Sequence, residues 1–244
     1  HHHVTDRRQR QMCIRDSHLS KQLPINYNNS YTRESPEIKE IEYIFETLFP
    51  NVELRRYFLS INSRIFCGKI TKMFQIWKGT GCNGKSLLEK IFERLLGDMC
   101  AKLPTSLITG KRTQSGAASP ELLILNGARM AFLQECTGEE QMNTGLLKEL
   151  TGGDSIYCRG LNRDPIRVEP MFQLIVACNS APKMSGSATD LAVWRRIKIM
   201  KFESYFPEEP SKVPPTKELQ LETKTFPRDT TLAVSYTHLR AHET

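Results

Sequence analysis

The chain has 244 residues, and its 34 Lys and Arg against 27 Asp and Glu give a formal net charge of +7. This length suffices for one large domain with a sizeable core, with or without appendages. The basic balance favours a polyanionic partner. It contains no run of 18 apolar residues, so we expect no membrane span.

The positions of Cys and His exclude several classes of active site. The seven cysteines are scattered without a C-x-x-C pair, which argues against a zinc site and favours reduced thiols in an intracellular protein. All six histidines lie near the two ends, within residues 1–18 or 238–242. A His-based triad or metal site is therefore excluded from the body, whose chemistry must rest on carboxylates, Lys, Arg, amides and a hydroxyl-bound metal.

The two ends of the chain differ from its body. Residues 1–17 and 234–244 show no helical or strand period and resemble translated sequencing-adaptor sequence. We expect them to be non-native tails, with a disordered native tail as the alternative. Between them, we expect a linker and small helical subdomain at 18–70 and a core domain at 71–204. Residues 205–233 begin with a segment rich in Pro, Glu and Lys, which predicts a linker or the start of a truncated C-terminal region.

Two helices are predicted ahead of the core. Ser35 and Pro36 provide a cap and a first-turn proline, and Pro50 ends this first helix. The second begins near Asn51 and closes at Gly68. The expected inward positions are Ile38, Ile41, Ile44, Phe45 and Leu48 in the first helix and Leu54, Tyr57, Phe58, Ile61 and Ile65 in the second. Together they would form a small helical layer.

Residues 79–86, GTGCNGKS, fit the nucleoside-triphosphate P-loop G-x-x-x-x-G-K-[ST]. Glycines let the backbone bend so that consecutive N–H groups turn inward around an anion. Lys85 would then reach the β- and γ-phosphates, and the Ser86 hydroxyl would hold Mg²⁺. The predicted ATP-binding residues are Gly79, Thr80, Gly81, Cys82, Asn83, Gly84, Lys85 and Ser86.

The context of this loop supports the motif. Residues 73–77, MFQIW, have the pattern of a buried strand. After the loop, apolar residues recur at helical spacing until Gly97, a stop signal. The start of that helix would add its dipole to the phosphate site. A chance glycine-rich turn, the alternative, does not account for this order of strand, loop and helix.

A loop at 110–121 and a short helix or strand at 120–125 lead into a predicted buried strand at 129–136, RMAFLQEC. It ends in one carboxylate, Glu135, preceded by Gln134 rather than a second acid. In a P-loop enzyme such an acid orders Mg²⁺ and polarises the attacking water. The alternative for Glu135 is a surface residue at a strand end.

The next elements are a helix at 139–150, ended by TGGD, and then a hairpin with its turn at 162–165, NRDP. Arg159, Arg163 and Arg167 would decorate this hairpin, and Lys148 lies on the helix before it. Arginines on a protruding hairpin suit contact with a phosphate backbone. The alternative is an ordinary solvated charge run.

Residues 172–178 form a near-continuous apolar run, typical of a central parallel strand. Asn179 follows it and could hydrogen-bond the γ-phosphate or the lytic water, or could merely start a turn. Arg195 and Arg196 then precede an alternating strand at 197–202. In a ring ATPase one such arginine enters the neighbouring subunit's site; surface charge is the alternative.

These parts, in this order, resemble the superfamily 3 helicase domain. The shared features are the N-G-K-S form of the P-loop, the segment L-K-x-L-T-G-G-D-x-I-x-x-R, the motif ending in LIVACN, and W-R-R-I. Within that superfamily the chain is similar to the poxvirus-type primase–helicases of large DNA viruses and to phage primase–helicases. The resemblance covers about residues 36–204.

The resemblance implies an α/β fold of the P-loop NTPase class, AAA+ like, with a central, mostly parallel sheet flanked by helices and preceded by the small helical layer. It implies a hexameric ring that binds ATP and Mg²⁺ between subunits and threads single-stranded DNA. By position, Glu135 matches Walker B, Asn179 the sensor, and Arg195 or Arg196 the arginine finger acting in trans. The segment from Lys148 to Arg167 matches the part that faces DNA.

The expected function is therefore ATP-dependent DNA unwinding in viral or phage DNA replication, carried by a fragment of a larger primase–helicase. Such a protein would act inside the cell, in the host cytoplasm or at a viral replication site. A P-loop nucleotide switch or small-molecule kinase is the alternative, although it leaves the arginine pair and the TGGD segment unexplained. A non-enzymatic DNA-binding piece is a third possibility.

Overall fold

The computed structural model describes residues 21–25, 28–68, 72–109, 119–136, 141–161, 164–185 and 190–229, without the side chains of 134–136. Both predicted tails, most of the 110–121 loop and the hairpin residue Arg163 lie outside these ranges. Within them, no helix has the length and apolar character to cross a membrane.

The described part of the chain alternates helices and strands. Its helices are α1 (Pro36–Leu48), α2 (Val52–Ser63), α3 (Lys85–Leu96), α4 (Ser106–Thr109), α5 (Pro120–Leu123), α6 (Thr144–Gly152), α7 (Leu191–Trp194) and α8 (Lys217–Thr223). Its strands are β1 (Phe74–Lys78), β2 (Cys100–Leu103), β3 (Met130–Cys136), β4 (Gln141–Met142), β5 (Ile156–Cys158), β6 (Ile166–Val168), β7 (Gln173–Cys178), β8 (Lys183–Met184) and β9 (Ile197–Lys201).

A five-stranded sheet in the order β2-β3-β7-β1-β9 forms the centre of the fold. Every neighbouring pair in it is parallel. The apolar run of β7 lies in the middle because such a strand is buried on both faces. The predicted α/β fold with a mostly parallel sheet is confirmed.

The helical layer covers one face of the sheet. α1 and α2 pack there with α3, around side chains such as Phe58, Trp77 and Phe132. A buried polar chain joins α2 to β1: Gln75 Nε2 donates to Asn62 Oδ1 at 2.9 Å, and Trp77 Nε1 donates to Gln75 Oε1 at 2.9 Å. β1 is thereby tied to the helical layer just before the glycine-rich loop begins.

The two predicted helices are confirmed, but two of their expected inward residues are wrong. Ile41 and Tyr57 are each 43% exposed. The buried residues of α1 are confined to its last two turns, from Ile44 to Leu48. The apolar stripe that runs the full length of α1 is therefore covered only toward the end of the helix.

The opposite face of the sheet carries α4, α5, α6 and the small β5–β6 hairpin. Leu146, Leu147 and Leu150 of α6 pack there with Ile156 and Val168 of the hairpin. The hairpin is antiparallel, as predicted, and Tyr157 lies opposite Arg167. Burial of one side of the hairpin in this core fixes which of its residues face outward.

The segment at 205–225, predicted as a linker or the start of a truncated C-terminal region, is folded back onto the core. Tyr205 pairs with Thr225 in an isolated bridge, and the rings of Phe206 and Phe226 lie 6.1 Å apart. Between them, Thr216 caps α8 by accepting from the Leu219 N–H. The low apolar content of this stretch concealed the aromatic contacts at its two ends.

Candidate nucleotide site and nucleic-acid interface

The carboxyl ends of three neighbouring strands bring the predicted nucleotide-site residues to one edge of the sheet. In the sheet register, Cys178 of β7 lies beside Lys78 of β1 and beside Cys136 of β3. The glycine-rich loop therefore begins next to Asn179, and the backbone of Glu135 reaches the same edge. This is the crevice in which open parallel sheets bind ligands.

The loop between β1 and α3 has the backbone that an anion nest requires. Gly81 has a φ of +116°, Cys82 of +46° and Gly84 of +79°. Left-handed residues within a tight turn direct successive N–H groups into one concavity. Cys82 adopts this conformation without being glycine, which is typical of the strain found at functional sites.

The surrounding structure holds the loop from behind. The Phe206 N–H donates to the Cys82 carbonyl at 2.7 Å. The Asn83 side chain is 4% exposed and donates to the Phe202 carbonyl at 3.4 Å. A Cβ on Gly84 would overlap the Leu48 side chain, so α1 packs directly against the loop. Sequence analysis missed Phe206, because its segment lacks strand or helix periodicity.

The amine of Lys85 lies at the mouth of the loop. Its Nζ donates to the Gly79 carbonyl and, at 3.2 Å, to Asn179 Oδ1. Burial lowers the pKa of Lys85. The P-loop lysine and the residue after β7 thus meet directly, although 94 positions separate them in the chain.

Of the two residues predicted to hold a metal, Ser86 is described with its side chain and Glu135 by its backbone alone. Ser86 is exposed in the first turn of α3, next to Lys85. Glu135 is the penultimate residue of β3, and its side chain is outside the described part of the structure. A hydroxyl and a carboxylate are oxygen ligands of the kind that Mg²⁺ prefers, so this pair fits a magnesium site in donor chemistry.

Arg195 and Arg196 lie at the amino ends of the strands, opposite the end that carries the P-loop. Arg196 directly precedes β9, and its carbonyl accepts from the N–H of Phe74, the first residue of β1. The P-loop follows the last residue of β1, so it is four strand steps away, about 13 Å along the strand. Neither arginine is close to the P-loop of its own chain.

The side chains of the two arginines differ in their surroundings. Arg196 Nη1 donates to the Ala192 carbonyl of the preceding helix α7 at 2.6 Å, and its Nε is buried. Arg195 is exposed at the end of α7. The structure therefore distinguishes the two residues, which the sequence could not.

The β5–β6 hairpin presents two of the predicted DNA contacts. Arg159 and Arg167 are both exposed. Arg167 Nε donates to Ser155 Oγ at 2.8 Å, and its Nη2 lies 3.0 Å from Glu169. Arg163 falls outside the described residues.

Lys148, the remaining predicted DNA contact, is engaged in an ion pair. Its Nζ bonds Asp190 Oδ2, while Asp190 Oδ1 accepts from the Ala192 N–H and caps α7. The hydrogen bond from Lys148 holds the pKa of Asp190 below its usual range. The helix before the hairpin is thereby joined to the helix before the two arginines. The one sequence signal for this role of Asp190 is that it stands as a helix-capping residue in T-D-L, directly before α7.

Comparison with known proteins shows relatives of viral origin. The chain is 35% identical over 221 residues to protein 184R of Invertebrate iridescent virus 6, covering 88% of this chain and 22% of that protein. It is 37% identical over 223 residues to protein 121R of Invertebrate iridescent virus 3, covering 89% of this chain and 23% of that protein. Both are provisionally named as helicases. The chain thus spans less than a quarter of the length of these relatives.

The fold has counterparts among solved structures, whereas no family model matches the sequence. The apo C-terminal region of NrS-1 superposes with a TM-score of 0.54 at 18% identity, covering 79% of this chain and 43% of that one. This likeness concerns the fold alone. The identity to the two viral relatives, over nearly nine-tenths of this chain, shows that the chain belongs to their family of viral helicase-type domains.

Proposed function

We propose that the chain is the ATPase motor of a DNA helicase and forms part of a larger viral replication protein. The observation that carries this proposal is the meeting of Lys85 with Asn179 at the sheet edge where the glycine-rich loop begins. A lysine amine and an amide aimed at one point beside an anion nest suit the terminal phosphates of a nucleoside triphosphate. The relatives' provisional names agree with this activity, which would be exerted in the host cytoplasm or at a viral replication site.

Each residue of the site has a role in this proposal. The loop N–H groups and Lys85 bind the phosphates. On binding, the Lys85 amine gives up its hydrogen bond to the Gly79 carbonyl. Asn179 orients the γ-phosphate or the attacking water. Ser86 and Glu135 would hold Mg²⁺, which when bound neutralises charge on the phosphate oxygens. Glu135 also accepts the proton of the water during in-line attack.

We further propose that the site is completed by a neighbouring subunit, as in a hexameric ring. The separation of about 13 Å along β1 exceeds what an arginine side chain spans, so Arg195 and Arg196 do not reach their own P-loop from this position. Arg195 is favoured as the finger because its side chain is exposed, whereas Arg196 is bonded to the Ala192 carbonyl. In that arrangement Arg196 positions α7, and Arg195 neutralises the transition state in trans.

The nucleotide site is tested by Lys85→Ala with Lys90→Ala as the matched control, because Lys90 is an exposed lysine on the same helix. We expect Lys85→Ala to lower ATP turnover by about 10³-fold or more. Lys90→Ala should retain turnover. Equal turnover in Lys85→Ala and wild type would overturn the site.

The neighbour's contribution is tested by mixing two inactive variants, Lys85→Ala and Arg195→Ala. A contact between them joins an intact P-loop to an intact arginine, so the mixture should regain part of the wild-type ATPase activity. Replacing Arg195→Ala by Arg196→Ala in the mixture tests the choice between the two. A mixture as inactive as its components refutes action of Arg195 in trans.

A nucleotide switch or small-molecule kinase would share the P-loop but not the response to nucleic acid. Single-stranded DNA should accelerate ATP turnover by the proposed motor and leave that of a kinase unchanged. The same assay run with single-stranded RNA shows which strand the protein prefers.

A further inference from the structure

The β5–β6 hairpin has an aromatic residue on its outer face that the ATPase chemistry does not use. Tyr157 is 72% exposed, while its neighbours Ile156 and Cys158 are each 4% exposed. Alternation along a strand places successive side chains on opposite faces. Ile156 and Cys158 anchor the hairpin in the core, and Tyr157 is therefore held outward on a fixed backbone.

Two exposed arginines lie near Tyr157. Arg167 is its cross-strand partner, and Arg159 lies two residues further along the chain, just beyond the end of β5. Arg167 is oriented by Ser155 and by Glu169. The Glu169 pair is exposed on both sides, and such surface ion pairs contribute little to stability, so a phosphate can displace the carboxylate. A guanidinium also has five N–H donors, more than these two partners occupy.

We propose that Tyr157, Arg159 and Arg167 form a stacking platform for single-stranded nucleic acid. The ring of Tyr157 stacks on one unpaired base, and the two arginines bind the flanking phosphates. Surfaces that bind single strands combine cationic side chains with exposed aromatic rings in this way. A duplex, whose bases are already stacked, offers no free face to the ring. The platform rests on the proposed nucleic-acid function and assigns the base contact to one residue.

A stacking contact and a phosphate contact respond differently to salt, which makes the platform testable. The probe is a fluorescent oligothymidylate, and its affinity is measured by anisotropy at several salt concentrations. Tyr157→Ala should weaken binding roughly 5- to 150-fold, the range for loss of one stacked base, with an unchanged salt slope. Tyr157→Phe retains the ring and should bind like wild type. Arg167→Gln should reduce the salt slope by about 0.7, the value for one single-strand phosphate.

An abasic oligonucleotide of equal length and charge isolates the base. Wild type should bind it more weakly than oligothymidylate, and Tyr157→Ala should cause little further loss. Tyr157→Thr, which keeps strand propensity without a ring, repeats the comparison if the alanine variant melts at a lower temperature. The platform is overturned if ring removal has no effect or lowers affinity equally for the normal and abasic strands. A changed salt slope in Arg167→Gln alongside that result would leave the nucleic-acid function standing, whereas absence of binding by wild type would overturn both.

Discussion

Replacing Gln75 by Met tests how the helical layer is joined to the strand that carries the P-loop. Gln75 is 0% exposed and makes two hydrogen bonds of 2.9 Å, one to Asn62 and one from Trp77. Methionine matches the length of the side chain without polar atoms. The Asn62 oxygen and the Trp77 N–H, both in buried residues, are then left unpaired.

The magnitude follows from the cost of unpaired buried groups. Leaving one buried polar group unpaired costs about 1–3 kcal/mol. Gln75→Met leaves two such groups unpaired, so it should lower the free energy of unfolding by about 2–6 kcal/mol. Asn62→Leu should also destabilise, because it strands the Gln75 amide. In the double variant the Asn62 oxygen and the Gln75 amide are both absent, so neither is left unpaired. The loss in the double variant should therefore fall short of the sum of the single losses by the cost of two groups, about 2–6 kcal/mol.

Urea unfolding followed by tryptophan fluorescence measures these losses. The chain contains two tryptophans, and Trp77 is buried whereas Trp194 is 48% exposed. A Trp194→Phe background therefore reports on Trp77 alone. Gln141→Met, at an exposed position, is the control and should stay within about 0.5 kcal/mol. A loss of that small size at Gln75, or strict additivity with Asn62→Leu, would refute the reasoning.

Three further predictions concern the loop, an ion pair and a thiol. Gly84→Ala should lower unfolding free energy more than Gly81→Ala, because both have positive φ but only the former also meets a buried leucine; equal losses in urea would contradict this. Asp190→Asn keeps the cap but loses the pair with Lys148, which lowers the pKa of Asp190. Stability from this carboxylate is present above about pH 4 and is lost as pH falls through the lowered pKa, so the variant should show a flatter acid limb in thermal melts. Burial raises the pKa of Cys100 from 9.0 to about 12, so wild-type stability should fall between those pH values as the unfolded thiol ionises. Cys100→Ala should fall less over that window in urea unfolding, and parallel curves would exclude the effect.

The nucleotide loop was predictable because its determinants are contiguous. Strand, glycine-rich turn and amphipathic helix follow one another within residues 73–97, and each is specified by local spacing. The strand character of 129–136 and 172–178 was also evident from apolar runs and is confirmed. The roles assigned to Glu135 and to the arginines stay predictions.

The folding of the segment at 205–225 back onto the core was not predictable from composition. Its docking depends on the Phe206 N–H reaching the Cys82 carbonyl and on two phenylalanine rings 20 residues apart. Neither contact leaves a periodic pattern in the sequence. β2 and α4, between the P-loop helix and the 110–121 loop, were likewise unassigned because they are only four residues long.

By itself the sequence determined the longer helices and the central strands, the P-loop and the family, since these depend on neighbours along the chain. Tertiary structure alone decided that Asn179 meets Lys85 and that Arg195 and Arg196 lie at the amino ends of the strands. Strand order and register decide both, and they arise from pairing between segments that are distant in the chain. The same parallel order that gathers the nucleotide residues at one edge also carries the arginines about 13 Å away along β1.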